Sequence, residues 1–319
     1  MRRFALAALC IVLAPLGAGL RAQDPFPSRP VQVIVPATPG GPVDTGVRMI
    51  EASLASALGQ PVVLINRPGA SGTLGMHDVA TAEPNGYTIG QGVNSIFTIT
   101  RLTGTSVPFT LDDFSLLGNY ATDVSVLAVS AEAPWQTIDD VIAYVHANPG
   151  KLNYASAGAG TVSSLSVQAL AHHFKLDMVA VPFPGGAQLT TAILGKQVDI
   201  GMVPYTTGAA MFASKKLRAL VTTAPNRLPR LPDIPTFAEK GIAVNGLNLI
   251  MGLYAPKALP ESIDKTLVGA VAKAARDPAF IAKIEAIGLF GQYEEPAKAR
   301  TRLESEYADL VALNRELQK

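Results

Sequence analysis

Residues 31–44 read VQVIVPATPGGPVD. The first six are an unbroken, largely β-branched run, the pattern of a strand buried on both faces. A tight Pro-Gly-Gly loop ending in Asp44 comes next, and then Val47, Ile50, Leu54 and Leu58 recur at helical spacing until Gly59-Gln60-Pro61 stops them. A buried strand, a glycine loop and an amphipathic helix form the opening of a βαβ unit. The same alternation continues on both sides of the middle of the chain. Strands are expected at 61–65, 87–90, 124–129, 152–156, 178–181, 198–203, 217–222 and 249–255. Helices are expected at 72–82 and 137–148, and two more follow the loops AGAGTVSS and PFPGGAQ and end at Phe174 and Leu194. Three more close the chain, at 260–275, 278–287 and 296–317. This is an α/β chain with mainly parallel strands. A weak internal echo, VIVP with PGG at 33–41 and VAVP with PGG at 179–186, supports two similar α/β lobes.

Composition narrows the function. The 319 residues are 48% hydrophobic and 16% charged, which excludes a disordered chain and is long for a single domain. One cysteine, Cys10, excludes a disulfide scaffold. With 26 basic and 25 acidic residues there is no electrostatic footprint for a nucleic acid or a membrane surface. Residues 1–22 read as an export leader: Arg2 and Arg3, an apolar run from Phe4 to Leu16, then small residues, with cleavage expected after Ala22. Three basic residues and no acidic ones lie in that leader, so the chain from Gln23 carries 23 against 25, a net −2.

Three loops after strands, 37–44, 156–164 and 183–188, are rich in Gly, Ser and Thr, and each opens a helix. Glycine lets backbone approach a ligand, hydroxyls donate hydrogen bonds, and a helix start adds unpaired N–H groups with partial positive charge. Lys, Arg, Asp and Glu are absent from 31–43, 152–174 and 178–195. Such loops hold a carboxylate or phosphate without a cationic side chain. Asp44 is the one charge at the mouth of the first; its ordinary role is helix N-capping, the alternative being to orient a ligand or a water.

Searches for chemistry return little. The chain has no nucleophile elbow and no phosphate loop, and its dinucleotide fingerprint at Gly158 lacks the third glycine. His77, His146, His172 and His173 have no partners at metal-ligand spacing. The acidic pairs Asp112-Asp113, Asp139-Asp140 and Glu294-Glu295 fall at expected helix starts, where acids are favourable. No catalytic set emerges and no cofactor is expected, so a binding protein is the reading.

Six segments in order then resemble a known family, the periplasmic substrate-binding receptors of tripartite tricarboxylate transporters, or Bug proteins. They are PSRPVQVIVPATPGGPVD, LGQPVVLINRPGASGTLG, PNGYTIG, NPGKLNYASAGAGTVSSL, VPFPGGAQLTTAILGKQVDIG and RLPRLPDIPTFAEKG. The resemblance implies a two-lobed periplasmic binding protein, type II-like, with two mainly parallel sheets flanked by helices and joined by two hinge crossovers. Lobe 1 would comprise 23–123 and 250–319, and lobe 2 would comprise 124–249, with the hinge near 120–127 and 244–252. A small carboxylate would sit between the lobes. Thr38, Gly41 and Asp44 would line the first lobe, with Asn94 and Ser95 beside them. Ser156, Gly160, Thr161 and Ser164 would line the second, with Gly185, Gly186 and Ala187 at the far end. Where amino-acid-binding relatives carry an acid, this chain has Val203 followed by Pro204 and Tyr205, which favours a carboxylate without an amine. Phe183 and Tyr205 would either flank an aromatic ring or pack in the core, so aromatic and aliphatic mono-, di- and tricarboxylates all remain open. The implied partners are the ligand and the membrane permease subunits, the receptor acting as a monomer. A sensor signalling to a membrane kinase and an exported esterase are the alternatives.

Overall fold

In the computed structural model, residues 26–102, 106–156, 161–183 and 186–317 are described, so the leader reading and the candidates Gly160 and Gly185 lie outside the described residues. The opening run forms β1 (Val31–Val35), buried at four of its five positions, followed by α1 (Pro42–Leu58). The helix buries Val47, Ile50, Leu54 and Leu58, and Gly59, at φ 68°, ends it in the left-handed conformation. Next come β2 (Val62–Asn66), α2 (Thr73–Ala80), β3 (Thr88–Val93), the single turns α3 (Asn94–Phe97) and α4 (Ile99–Leu102), and β4 (Phe114–Asp123). The second series comprises β5 (Ser125–Ser130), α5 (Ile138–Ala147), β6 (Asn153–Ser156), α6 (Val162–Phe174), β7 (Val179–Pro182), α7 (Gly186–Leu194), β8 (Ile200–Pro204), α8 (Tyr205–Ala213) and β9 (Leu217–Thr222). The chain then returns through β10 (Leu249–Pro256), α9 (Glu261–Ala275), α10 (Pro278–Ala286), β11 (Phe290–Glu294) and α11 (Pro296–Leu317).

The strands form two sheets, β11-β4-β10-β3-β1-β2 and β7-β6-β8-β5-β9. In the first, β1, β2 and β3 are parallel, β10 runs against both β3 and β4, and β11 runs against β4 at the edge. In the second, β6, β7 and β8 are parallel, and β5 runs against both β8 and β9. Each sheet thus has one antiparallel strand inserted in its interior, the first that the chain enters after crossing from the other sheet. The architecture is the expected one: two mainly parallel sheets flanked by helices, in two lobes.

The echoed segments hold different places within this symmetry. β1 is interior to its sheet, whereas β7 is an edge strand with three exposed residues. The shared Pro-Gly-Gly is a common solution to a strand-to-helix turn, and an edge strand tolerates the Pro182 that cannot donate to a ladder.

β4, β11 and α8 were not anticipated. β4 carries Asn119 and Asp123 at buried positions and Gly118 at φ 121°, with register irregularities against β10, so no clean alternation marks it. β11 is a half-buried edge. It also overturns the helix-start reading of Glu294, which ends this strand and pairs with Arg302 at 3.0 Å. The chain passes between sheets at Val124 and returns between Thr222 and Leu249. α11 is a third link: Ala299 and Leu303 join the core of the first lobe, Leu310 and Leu313 that of the second.

Candidate functional site

Strand register brings the candidate loops to one place. Asp123, the last residue of β4, pairs with Leu249, and Val93, the last of β3, pairs with Met251. The carboxyl ends of the parallel strands of the first sheet therefore lie at the edge from which the chain crosses over. On the other side, Ser125 opens β5 opposite Pro204, the last residue of β8, and Val126 pairs with Thr222, the last of β9. The strand ends of the second sheet border the same crossover. The carboxyl ends of β1 and β3 and those of β6, β7 and β8 thus both border the crossover at Val124, and ligands in open α/β sheets bind at such carboxyl edges.

In the first lobe, Thr38 is exposed and Gly41 half-buried. Gly41 is the N-cap of α1 (φ −76°, ψ 169°), and no side chain caps the helix. Asp44 is therefore not the cap; it stands in the first turn and reaches backward. One oxygen accepts from the Gly40 N–H at 2.9 Å and from Arg48 Nε at 2.8 Å. The other accepts from Arg48 at 2.9 Å and from Asn66 Nδ2 at 2.8 Å. Asn66 also donates to the Ala37 carbonyl at 2.9 Å. Burial of the Asp44 carboxyl would raise its pKa, but the hydrogen bonds from Arg48, Asn66 and Gly40 outweigh it and hold the pKa at about 2. The one acid at this mouth is thus neutralised by Arg48 and spent on shaping the loop.

Asn94, at the end of β3, is 1% exposed, and both donors of its amide are used, on the Asn248 carbonyl and Glu306 (3.0 Å each). Its neighbour Ser95 is half-buried, in a turn no side chain caps.

In the second lobe, Thr161 caps α6, its hydroxyl accepting from the Ser164 N–H at 3.2 Å. The Ser164 hydroxyl lies 3.0 Å from that of Ser156 and accepts from Gln168 at 3.0 Å. Ser156 ends β6, and its carbonyl takes the Phe183 N–H at 2.8 Å, so the loops after β6 and β7 are joined. Phe183 is half-buried; Gly186 and Ala187 open α7. Tyr205 opens α8 at this edge, its N–H on the Val124 carbonyl at 2.8 Å, but its ring is buried. It is 4% exposed and stacks on Phe212 and Phe290, at 6.2 and 6.5 Å between centroids. Its ring is part of the core, with Phe290 from the first lobe, and burial raises its pKa.

Two groups escaped the sequence reading. Arg48 and Asn66 fix the first loop from a helix face and a strand end, without a shared motif. The start of α8 follows β8 at the same edge, uncapped by its preceding Pro204. The uncharged run Val203-Pro204-Tyr205-Thr206-Thr207-Gly208 is the signal that would have found it. No group of three metal-ligating side chains exists among the described residues.

The two edges thus present helix starts and hydroxyls, with Asp44 paired to Arg48 and Asp123 buried against Thr206, an arrangement suited to an anion. The sequence model of the family described as "Tripartite tricarboxylate transporter family receptor" matches residues 47–308. A UPF0065 protein of Bordetella pertussis is 34% identical over 282 residues, 88% of this chain and 87% of its own. R. palustris Rpa4515, solved with adipate, superposes with a TM-score of 0.81 at 26% identity, over 92% of this chain and 98% of its own. MatC of Rhodopseudomonas palustris, solved with bound malate, gives 0.76 at 29% identity, over 91% and 100%.

Proposed function

The chain belongs to the receptor family of the tripartite tricarboxylate transporters, and on that premise we propose that it captures an aliphatic dicarboxylate of the malate-to-adipate class between its lobes and hands it to membrane permease subunits. Receptors of this family are periplasmic substrate-binding proteins, not enzymes. What supports the ligand class is that helix-opening strand ends of both sheets border the crossover at Val124, with Asp44 already paired to Arg48. Each offers backbone N–H groups or hydroxyls to one carboxylate, and a dicarboxylate bridges them. Thr38, Gly41 and Ser95 contact it from the first lobe, and Ser156, Gly160, Thr161, Ser164, Gly185, Gly186 and Ala187 from the second. Relatives with malate and adipate support aliphatic acids, and the burial of Tyr205 in the core removes one side of the aromatic clamp, leaving Phe183 alone. The ligand stabilises a closed state through contacts absent from the open one. Residues 1–22 direct export.

A thermal-shift screen of the chain from Gln23 tests this against malate, succinate, adipate, citrate, glutamate, nicotinate, benzoate and terephthalate. An acid at about 100 times its dissociation constant stabilises by about 2.7 kcal/mol. A selective shift by the aliphatic dicarboxylates is expected, and lost in Thr161→Ala/Ser164→Ala. A shift with terephthalate or benzoate alone overturns the aliphatic assignment, and none with any acid, from a ligand-free sample, overturns the carboxylate site.

A further inference from the structure

The hydrogen bonds of Asn94 lead from the cleft edge to both crossovers. Its amide oxygen accepts from the Ile250 N–H at 3.0 Å, while its amide nitrogen donates to the Asn248 carbonyl and to Glu306 Oε2. Asn248 belongs to the returning segment. Its own side chain accepts from the Thr223 hydroxyl at 2.6 Å and donates to the Thr223 carbonyl at 3.2 Å. Thr223 in turn meets the outgoing crossover: its hydroxyl accepts from the Ser125 N–H, and its own N–H donates to the Ser125 carbonyl, both at 2.9 Å. From Asn94, three residues of one hydrogen-bonded chain thus reach both passages between the lobes.

The second branch runs to α11. Glu306 is 3% exposed and lies between Leu303, in the first core, and Leu310, in the second. Besides Asn94 it binds Arg302, which also holds Glu294 at 3.0 and 3.1 Å, and Glu294 accepts from Asn119 at 2.6 Å. A buried carboxylate is retained only while these partners remain, so the geometry around Glu306 is tightly specified. Asn94 is the one residue bonded to both branches, and it opens the turn that carries Ser95.

We propose that Asn94 is a positioning residue that couples ligand capture at the lip of the first lobe to lobe closure, acting through Asn248 on the crossovers and through Glu306 on the bridging helix. The coupling rests on the reading that the cleft takes a carboxylate. A ligand that draws on the turn at Ser95 moves the Asn94 amide, and both interlobe links move with it. Without the amide the lobes lose their common pivot, and the ligand must order a broader ensemble at a cost in affinity.

Spin labels test this directly, because the chain from Gln23 contains no cysteine. Ser56→Cys on α1 and Ala143→Cys on α5 are exposed positions, one per lobe, and their distance distribution is measured by pulsed electron resonance. In the ligand-free protein, Asn94→Ala broadens the distribution. Asn94→Asp does the same, because it sets a second carboxylate against Glu306 and has no donor for the Asn248 carbonyl, and Asn94→Asp/Glu306→Gln, which relieves the charge clash but still leaves the Asn248 carbonyl without its donor, stays broad. With malate or adipate as probe, affinity falls about tenfold in the single variants and stays low in the double one. A ligand-free distribution equal to that of the parent, in Asn94→Ala or in the double variant, overturns the proposal. A parent protein that responds to no carboxylate overturns the function proposed above instead, and the ligand-free arm still judges Asn94.

Discussion

Asp123, the last residue of β4, accepts hydrogen bonds from both the hydroxyl (2.6 Å) and the N–H (3.3 Å) of Thr206, the second residue of α8. A carboxylate of the first lobe thus serves the helix start of the second that Pro204 leaves without a side-chain cap. It does so at the crossover itself, 2% exposed and without an ionic partner among the described residues. Burial raises the Asp123 pKa to about 7, the hydrogen bonds from Thr206 offsetting only part of the desolvation.

Because that pKa exceeds the unfolded value of about 3.9, the folded protein binds more protons between the two. Stability should therefore fall as pH rises from about 4 to 7 and level off above. Asp123→Asn keeps an acceptor for the Thr206 hydroxyl and should flatten this contribution. Urea unfolding of parent and variant at pH 5 and pH 8 measures the difference; equal slopes in both would place the titration elsewhere.

Asp44 behaves in the opposite sense. Its pKa of about 2 lies below the unfolded value, so its contribution is present above pH 4 and is lost as pH falls toward 2. Asp44→Ala strands the Gly40 N–H and the Asn66 amide and should cost about 1–3 kcal/mol. Ligand affinity should fall as well, through a loosened loop. Denaturant melts and calorimetric titration read the two effects; intact affinity with reduced stability would separate the loop from binding.

Two glycines of the first lobe should respond in opposite ways. A Cβ on Gly75 would lie 2.8 Å from the Arg67 carbonyl oxygen and 3.0 Å from Pro36 Cα, both backbone, so Gly75→Ala should cost about 1–3 kcal/mol. At Gly41 the nearest atom is the Thr38 carbonyl oxygen at 3.7 Å and φ is −76°, so Gly41→Ala should leave stability within about 0.5 kcal/mol. Its effect should appear in ligand affinity, because the added methyl stands where a carboxylate approaches the start of α1. Comparing melting temperature with affinity for both variants decides this.

Tyr205 is expected to matter for folding rather than for ligand choice. Tyr205→Phe keeps the stacked ring and should leave carboxylate preference unchanged. Tyr205→Ala should cost about 3–5 kcal/mol, as for other large aromatic truncations. A changed order of preference among acids in Tyr205→Phe would return the ring to the binding cleft.

The legible elements were those whose pattern is local. β9 and α11 coincide with the expected ranges, and β1, α1 and β10 agree to within a few residues, because buried strands and amphipathic helices write their burial into consecutive residues. β4 was invisible for the opposite reason. Its Asn119 and Asp123 look like loop residues until Glu294 and Thr206, distant in sequence, provide partners that let them be buried. Of the candidate site, the hydroxyl and glycine loops followed from composition at strand ends, whereas the fates of Asp44, Asn94 and Tyr205 did not.

The amino-acid sequence alone determined the α/β class, the two series of strand-loop-helix units and the uncharged loops that open helices, since each depends on the order of neighbouring residues. Only the tertiary structure decided that the strand ends before those loops border one crossover, that Asn94 bonds to the returning segment and that Tyr205 belongs to the core. Those outcomes depend on which distant groups satisfy a buried amide, a carboxylate or a ring. A polar side chain looks the same in sequence whether it meets a ligand or another part of its own chain, and the packed fold supplies the partner that distinguishes them.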